Sequence, residues 1–166
     1  KAYDANSKIE LLKKSQKFNL KGEEEYSKKN FIEAKNYFEK AIELDLDEEK
    51  TNYINNLAIT SMKLEDYESA LILSKRIIDG DSDNKIKASA TYNYGKTCQI
   101  LGHNRTYRRY YRTYCYKHSL HYYLKALDIF PTDSRKKTII ETRTSQTDNK
   151  GSNQISCHEN TPDGVL

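Results

Sequence analysis

Tryptophan is absent, and only two prolines and six glycines punctuate 166 residues. So few chain breakers favour an all-helical chain over a sandwich or barrel. Three cysteines, Cys98, Cys115 and Cys157, are an odd number without a framework spacing. That excludes a disulfide-stapled scaffold and points to free thiols in a reducing compartment, with the cytoplasm as the expected location. There is no signal peptide and no apolar run long enough to span a bilayer, so no membrane partner is expected. The chain starts at Lys1 rather than Met, and is expected to be a fragment of a larger protein or a processed product.

Catalytic signatures are missing too. No phosphate-cradling glycine loop, HExxH, CxxC pair or pocketed carboxylate pair occurs. Cys115, His118 and His121 lie three residues apart, but two i+3 steps carry them around about 120° of a helix, without a fourth ligand. The expectation is therefore a non-enzyme with no catalytic residue, no metal and no cofactor.

What the chain has is lysine, glutamate, leucine and isoleucine in plenty and fourteen tyrosines, which favour an all-helical protein. Its 28 basic and 24 acidic residues are interspersed, so the net charge of +4 creates no strong field for nucleic acid.

A repeat dominates the middle of the chain. Gly22 is followed by Phe31, Ala34, Phe38 and Ala41, at offsets of 9, 12, 16 and 19. Ala58, 36 residues after Gly22, is followed by Tyr67, Ala70, Ser74 and Ile77 at those same offsets. A third copy starts at Tyr94-Gly95, but its second half, Tyr116, Ser119, Tyr123, Ala126 and Pro131, comes twelve residues late. Removing Asn104 to Cys115 restores the register.

This pattern of small residue, aromatic, alanine, aromatic, alanine and final proline resembles the tetratricopeptide repeat family over roughly residues 15–133. The first two copies depart from it, with Leu46 and Ser82 where the family usually has proline. The resemblance implies a right-handed α-solenoid of antiparallel helix pairs, in which small residues let helices approach and aromatics fill the space between pairs. The expected repeat domain spans residues 1–143, with repeats at about 15–48, 51–84 and 88–133, an insertion at 104–115 and a capping helix at about 133–143. Lys8 to Lys17 extends or pads the first helix, Asp133 or Ser134 caps the last one, and Ile139 and Ile140 form a lid. The polar stretch 144–166 reads as a disordered tail.

The family also implies a concave groove lined by the first helix of each pair, working as a scaffold for a protein or peptide partner. Its groove positions fall on Gln16, Asn19, Glu23 and Tyr26, then Asn52, Asn55, Asn56, Ile59 and Lys63, then Ser89, Tyr92, Asn93 and Lys96. Family members that clamp the carboxylate tails of heat-shock chaperones would have lysine, asparagine, asparagine, lysine and arginine where this chain has Asn19, Glu23, Asn56, Ser89 and Asn93. Only Asn56 matches, and Glu23 repels a terminal carboxylate, so that clamp is rejected. Asn56 and Asn93, equivalent in adjacent repeats, form instead a ladder of amides able to pair with a peptide backbone. The expected contacts are Asn19, Tyr26, Asn52, Asn56, Tyr92, Asn93 and Lys96.

The insertion is two-faced. Tyr107, Tyr110, Tyr111 and Tyr114 have the i, i+3, i+4, i+7 spacing of one helical stripe, and Arg105, Arg108, Arg109 and Arg112 form another. Extending either neighbouring helix through it would turn the arginines toward the domain and the tyrosines away, so two arrangements are open. Either the chain bends at Gly102-His103 and folds the tyrosines down, or a hairpin arm presents them to a partner. The alternative function therefore uses Arg105, Tyr107, Arg108, Tyr110, Tyr111, Arg112 and Tyr114, as a homodimer contact or, less favoured because the basic footprint is small, as an RNA surface.

Overall fold

The computed structural model describes residues 5–44, 50–104 and 109–148, the side chains at 109, 110, 133, 140 and 143–148 excepted. These residues form seven helices: α1 (Ala5–Ser27), α2 (Phe31–Leu44), α3 (Lys50–Lys63), α4 (Tyr67–Asp79), α5 (Asn84–His103), α6 (Arg109–Ile129) and α7 (Asp133–Asp148). Lys8 to Lys17 is part of one unbroken α1. Leu46, in the place of the family's proline, lies outside the described residues, as do Arg105, Tyr107, Arg108 and the tail from residue 149 onward.

The repeat positions explain the pairing. Ala34, Ala41, Ala70 and Ala126 are all but fully buried where paired helices meet. A Cβ on Gly22 would come within 2.6 Å of the Phe38 ring, and one on Gly95 within 3.0 Å of both the Ser119 carbonyl oxygen and the Tyr123 ring. In repeats one and three, then, a glycine makes room for an aromatic sixteen repeat positions later, whereas repeat two holds Ala58 and Ser74 at those positions. Either combination fills the gap between two helices. Between pairs, Ile54, Ile77, Ile78 and Ala90 join α3, α4 and α5 in one apolar cluster, and Ala34, Phe38 and Leu57 join α2 to α3 in another. Adjacent first helices, α1 to α3 and α3 to α5, approach each other more closely than α2, α4 and α6 do. The first helices are thus the inner, concave layer of a tetratricopeptide-like α-solenoid.

The period appears in the backbone as well. Lys29 and Glu65 take left-handed φ values of 66° and 62°, each seven residues after the small residue of its first helix. Immediately after Glu65, Asp66 caps α4 by accepting a hydrogen bond from the Ser69 backbone N–H at 3.2 Å, and it reaches Lys35 of α2 at 3.5 Å. Partial burial pushes the Asp66 carboxyl up, but the bonds from Ser69 and the charge of Lys35 outweigh this and hold it below the ordinary carboxylate value. Asp66→Ala is expected to cost about 1 kcal/mol, roughly 3 °C in Tm. Because the folded pKa is depressed, this contribution is present above the unfolded value near about 3.9 and fades as pH falls through the folded one. Melting curves of parent and variant should converge in strong acid and differ at pH 7.

At the C-terminal end, the cap of α7 is Thr132, whose hydroxyl accepts from the Arg135 backbone N–H at 3.3 Å, one residue before the expected Asp133. The helix runs to Asp148, past the expected end at 143, so the first five residues of the predicted tail are helical. Ile139 is buried beneath this lid as expected.

Both helices flanking the insertion are longer than their counterparts in repeat two, α5 against α3 and α6 against α4. In the uninterrupted register Gly102 occupies the position of Lys29 and Glu65, seven residues after Gly95, yet it lies inside α5. A Cβ there would meet the Arg112 carbonyl oxygen, Cys115 and Tyr116, all at 3.4 Å, so α6 runs closely alongside α5. Helix α6 begins at Arg109, seven residues ahead of Tyr116, the counterpart of Tyr67 at the start of α4, which adds two turns or about 10 Å. Arg112 turns inward and its Nε donates to the Gly102 carbonyl oxygen at 3.2 Å, while Tyr114 faces outward, 48% exposed, and Tyr111, 37% exposed, lies one turn before Cys115 on the same stripe and hydrogen-bonds its side chain. Of the four insert tyrosines, Tyr111 and Tyr114 have described side chains, and both remain exposed. Phase decides this for Tyr114: Cys115 must join Leu71, Cys98 and Leu101 in the core, which places Tyr114 on the outer face.

Candidate functional site

The inner layer presents amides. From α1, the Asn19 Nδ2 donates to Glu23 Oε1 at 2.8 Å, and from α3 the Asn56 Nδ2 reaches Asn19 Oδ1 at 3.1 Å and Glu23 Oε1 at 3.2 Å. One repeat on, Asn93 Nδ2 of α5 donates to Asn55 Oδ1 at 3.3 Å, and Asn55 Nδ2 to the Ser89 hydroxyl at 3.3 Å. Each pair of first helices is therefore stitched by a small amide cluster, and the two clusters are register equivalents.

The helix beneath them is held by a second equivalent pair. Thr60 and Thr97, both fully buried, donate their hydroxyls to the backbone carbonyls of Asn56 at 2.8 Å and Asn93 at 2.9 Å. A threonine bonded to its own preceding turn satisfies its hydroxyl inside the core and fixes the turn that carries the asparagine. The sequence signal for this is Asn followed four residues later by Thr, present in both repeats and passed over by a reading based on apolar periodicity.

A cleft of about 120 Å³ opens on this face between α1 and α3, lined by Glu23, Tyr26, Phe38, Asn56 and Ile59. Four of these are expected groove positions; Phe38 is not, because it belongs to the second helix of its repeat. Its ring reaches the cleft floor through the gap that Gly22 leaves open. Burial raises the Tyr26 phenol, which stays protonated, and the Tyr26 ring packs edge-on against Phe31 at 5.2 Å.

The remaining expected contacts scatter. Asn52 is exposed and Lys96 half-buried. Tyr92 belongs to the C-terminal end: its hydroxyl lies 3.0 Å from that of Thr138 on α7, and its ring packs on Tyr123 at 5.0 Å. The capping helix occupies the partner positions that a peptide would need there. On the opposite layer Cys115 points into the core, while His118 lies between Tyr114 and Tyr122, so Cys115, His118 and His121 do not converge. Burial, with His121 nearby, keeps the His118 imidazole below its ordinary value. Burial, with Cys115 beside it, pushes the Cys98 thiol up to about 12, so it packs as a small apolar group. Among the described residues no cluster of metal ligands forms, and no helix is long and apolar enough to cross a membrane.

No protein-family model matches the chain. No curated protein sequence matches it. Among solved structures, the complex of the TPR2AB domain of yeast Sti1 with pHSP90 is similar, with a TM-score of 0.65 and 20% identity over 82% of this chain. The matched part is 48% of that chain, so this protein spans about half its length. At that identity the likeness speaks to architecture, and it agrees with the repeat spacing: this is a tetratricopeptide-type solenoid.

Proposed function

We propose that the chain is a protein-interaction module that holds an extended peptide across the concave face of its first two repeat junctions. The observation that carries the reading is the paired amide ladder. Asn56 and Asn93 spend their N–H donors on the neighbouring helix, and among the described residues no donor reaches their side-chain carbonyl oxygens. Each oxygen therefore keeps its acceptor capacity for a ligand, on a side chain held by its own N–H bonds. Adjacent helix axes lie about 8–10 Å apart, which matches one three-residue turn of extended polyproline II chain at about 3.1 Å per residue, so every third backbone N–H points the same way. A peptide running across the helices therefore offers a backbone N–H to each asparagine in turn, whatever its side chains.

Geometry narrows the face. Tyr92 is engaged by α7, so the groove is centred on α1 and α3 and ends at Asn93. Glu23 stands where a carboxylate clamp needs a neutral or basic group, which excludes acidic C-terminal tails as ligands. The double substitution Asn56→Ala/Asn93→Ala is expected to weaken capture of the native partner at least tenfold, since each lost backbone hydrogen bond is worth about 1 kcal/mol or more. Helicity should be retained, because both residues are half-buried and Thr60 and Thr97 still hold their turns. Undiminished capture by the folded double variant would rule the ladder out.

A further inference from the structure

We infer that the cleft lined by Glu23, Tyr26, Phe38, Asn56 and Ile59 is a pocket for one basic side chain, lysine or arginine, of the bound peptide. The inference rests on the groove reading above and assigns the chemistry of one register position within it.

The first argument is charge balance. Three consecutive acids, Glu23, Glu24 and Glu25, end helix α1. Lys28 neutralises Glu24 at 2.6 Å and Glu25 at 2.9 Å, neither of which lines the cleft. Glu23, on the concave side, has no ion-pair partner among the described residues. Lys63 is the basic residue of α3 on the stripe that carries Asn56 and Ile59, one turn further on, and it forms no ion pair with Glu23. The cleft therefore carries an uncompensated negative charge.

The second is orientation. Two neutral amides, Asn19 and Asn56, both donate to the same oxygen, Oε1. They hold the carboxylate in place without cancelling its charge, and they leave Oε2 as the acceptor for a ligand. A group fixed in this way loses little rotamer freedom when a cation arrives, so more of the interaction is realised as affinity.

The third is shape. A volume of about 120 Å³ is four times the roughly 30 Å³ share of a water molecule in the liquid. That leaves room for one side chain. Tyr26, Phe38 and Ile59 supply apolar walls for a methylene stem. Lysine and arginine combine an apolar stem with a cationic tip. An acidic side chain is repelled by Glu23, and an aliphatic one covers the carboxylate without pairing it, which is penalised by desolvation.

The test uses random-flank peptide libraries of twelve residues fixed at the centre as lysine, arginine, norleucine, glutamine or glutamate, retained on the immobilised full chain. Lysine- and arginine-centred libraries should be enriched about tenfold over norleucine, with the ratio shrinking as salt rises. In Glu23→Gln, which keeps an oxygen to accept from Asn19 and Asn56, the ratio should fall to about twofold or less. Glu24→Gln removes a carboxylate outside the cleft and should leave the ratio unchanged, which separates pocket recognition from diffuse attraction. Equal retention of lysine and norleucine libraries, or a ratio that survives Glu23→Gln, overturns the basic pocket while leaving the groove. Failure to retain any of the libraries overturns both.

Discussion

Gly95→Val is expected to remove about 3 kcal/mol of stability and to melt the third repeat first. Helix propensity alone predicts the opposite sign, because replacing a helical glycine gains up to about 1 kcal/mol. Contact geometry wins here. The first side-chain atom already lies 3.0 Å from the Ser119 carbonyl oxygen, which is backbone and cannot swing aside, and 3.0 Å from the fully buried Tyr123 ring. Valine then adds two methyl groups to a space that holds none. Gly102→Ala is the matched control. Its neighbours stand at 3.4 Å, ordinary contact, and its φ is helical, so alanine should raise Tm slightly, by about 0.5–1 kcal/mol of stability. If Gly102 instead adopted the left-handed turn of Lys29 and Glu65, alanine would lower Tm. Thermal melts of the two variants thus report on packing and on the continuation of α5 through Gly102 together.

Phe38→Ala should cost about 3–5 kcal/mol, the range for losing a buried aromatic side chain. A whole domain is stable by only about 5–15 kcal/mol, so this variant should be close to unfolding at 37 °C. The Phe38 ring is 2% exposed, fills the gap at Gly22 and packs with Ala34 and Leu57. Phe38→Leu fills part of the same volume and should recover more than half of the loss. Gly22→Ala, destabilising in the parent, should be tolerated better in the Phe38→Leu background, because the ring that the new Cβ strikes is gone. A double-mutant cycle from urea melts measures that coupling; additive losses would mean that the two positions do not meet.

Much of the architecture is legible in the chain because repeat packing is local. Gly22, Ala34, Phe38 and Ala41 each face a neighbour within the same repeat, so spacing alone identifies which residues meet. The left-handed turns at Lys29 and Glu65 recur at the same 36-residue spacing, although neither residue is glycine and the sequence does not announce them. The two-faced character of the insertion was legible in phase, and Tyr114 does lie on the outer side, while Tyr111 shares the stripe of Cys115. Whether the chain would bend at Gly102 was not legible, because the choice depends on Cys115 finding a place beside Cys98 and Leu101, a contact between helices. The same limit applies to the site. Asn19, Glu23, Asn56 and Asn93 are readable as groove positions from register. Their mutual hydrogen bonds, the arrival of Phe38 at the cleft floor and the capture of Tyr92 by Thr138 all depend on how one helix pair sits against the next.

The central claim is that a peptide lies across the concave face. The most direct test is to follow backbone amide resonances of the full chain as a lysine-centred peptide recovered from the library selection is added. Shifts that saturate at Asn19, Glu23, Tyr26, Asn56, Ile59 and Asn93, with α2 and α4 unaffected on their outer sides, are the predicted result. Shifts confined to the outer face of α6 around Tyr111 and Tyr114 would contradict the account and move the binding surface to the insertion.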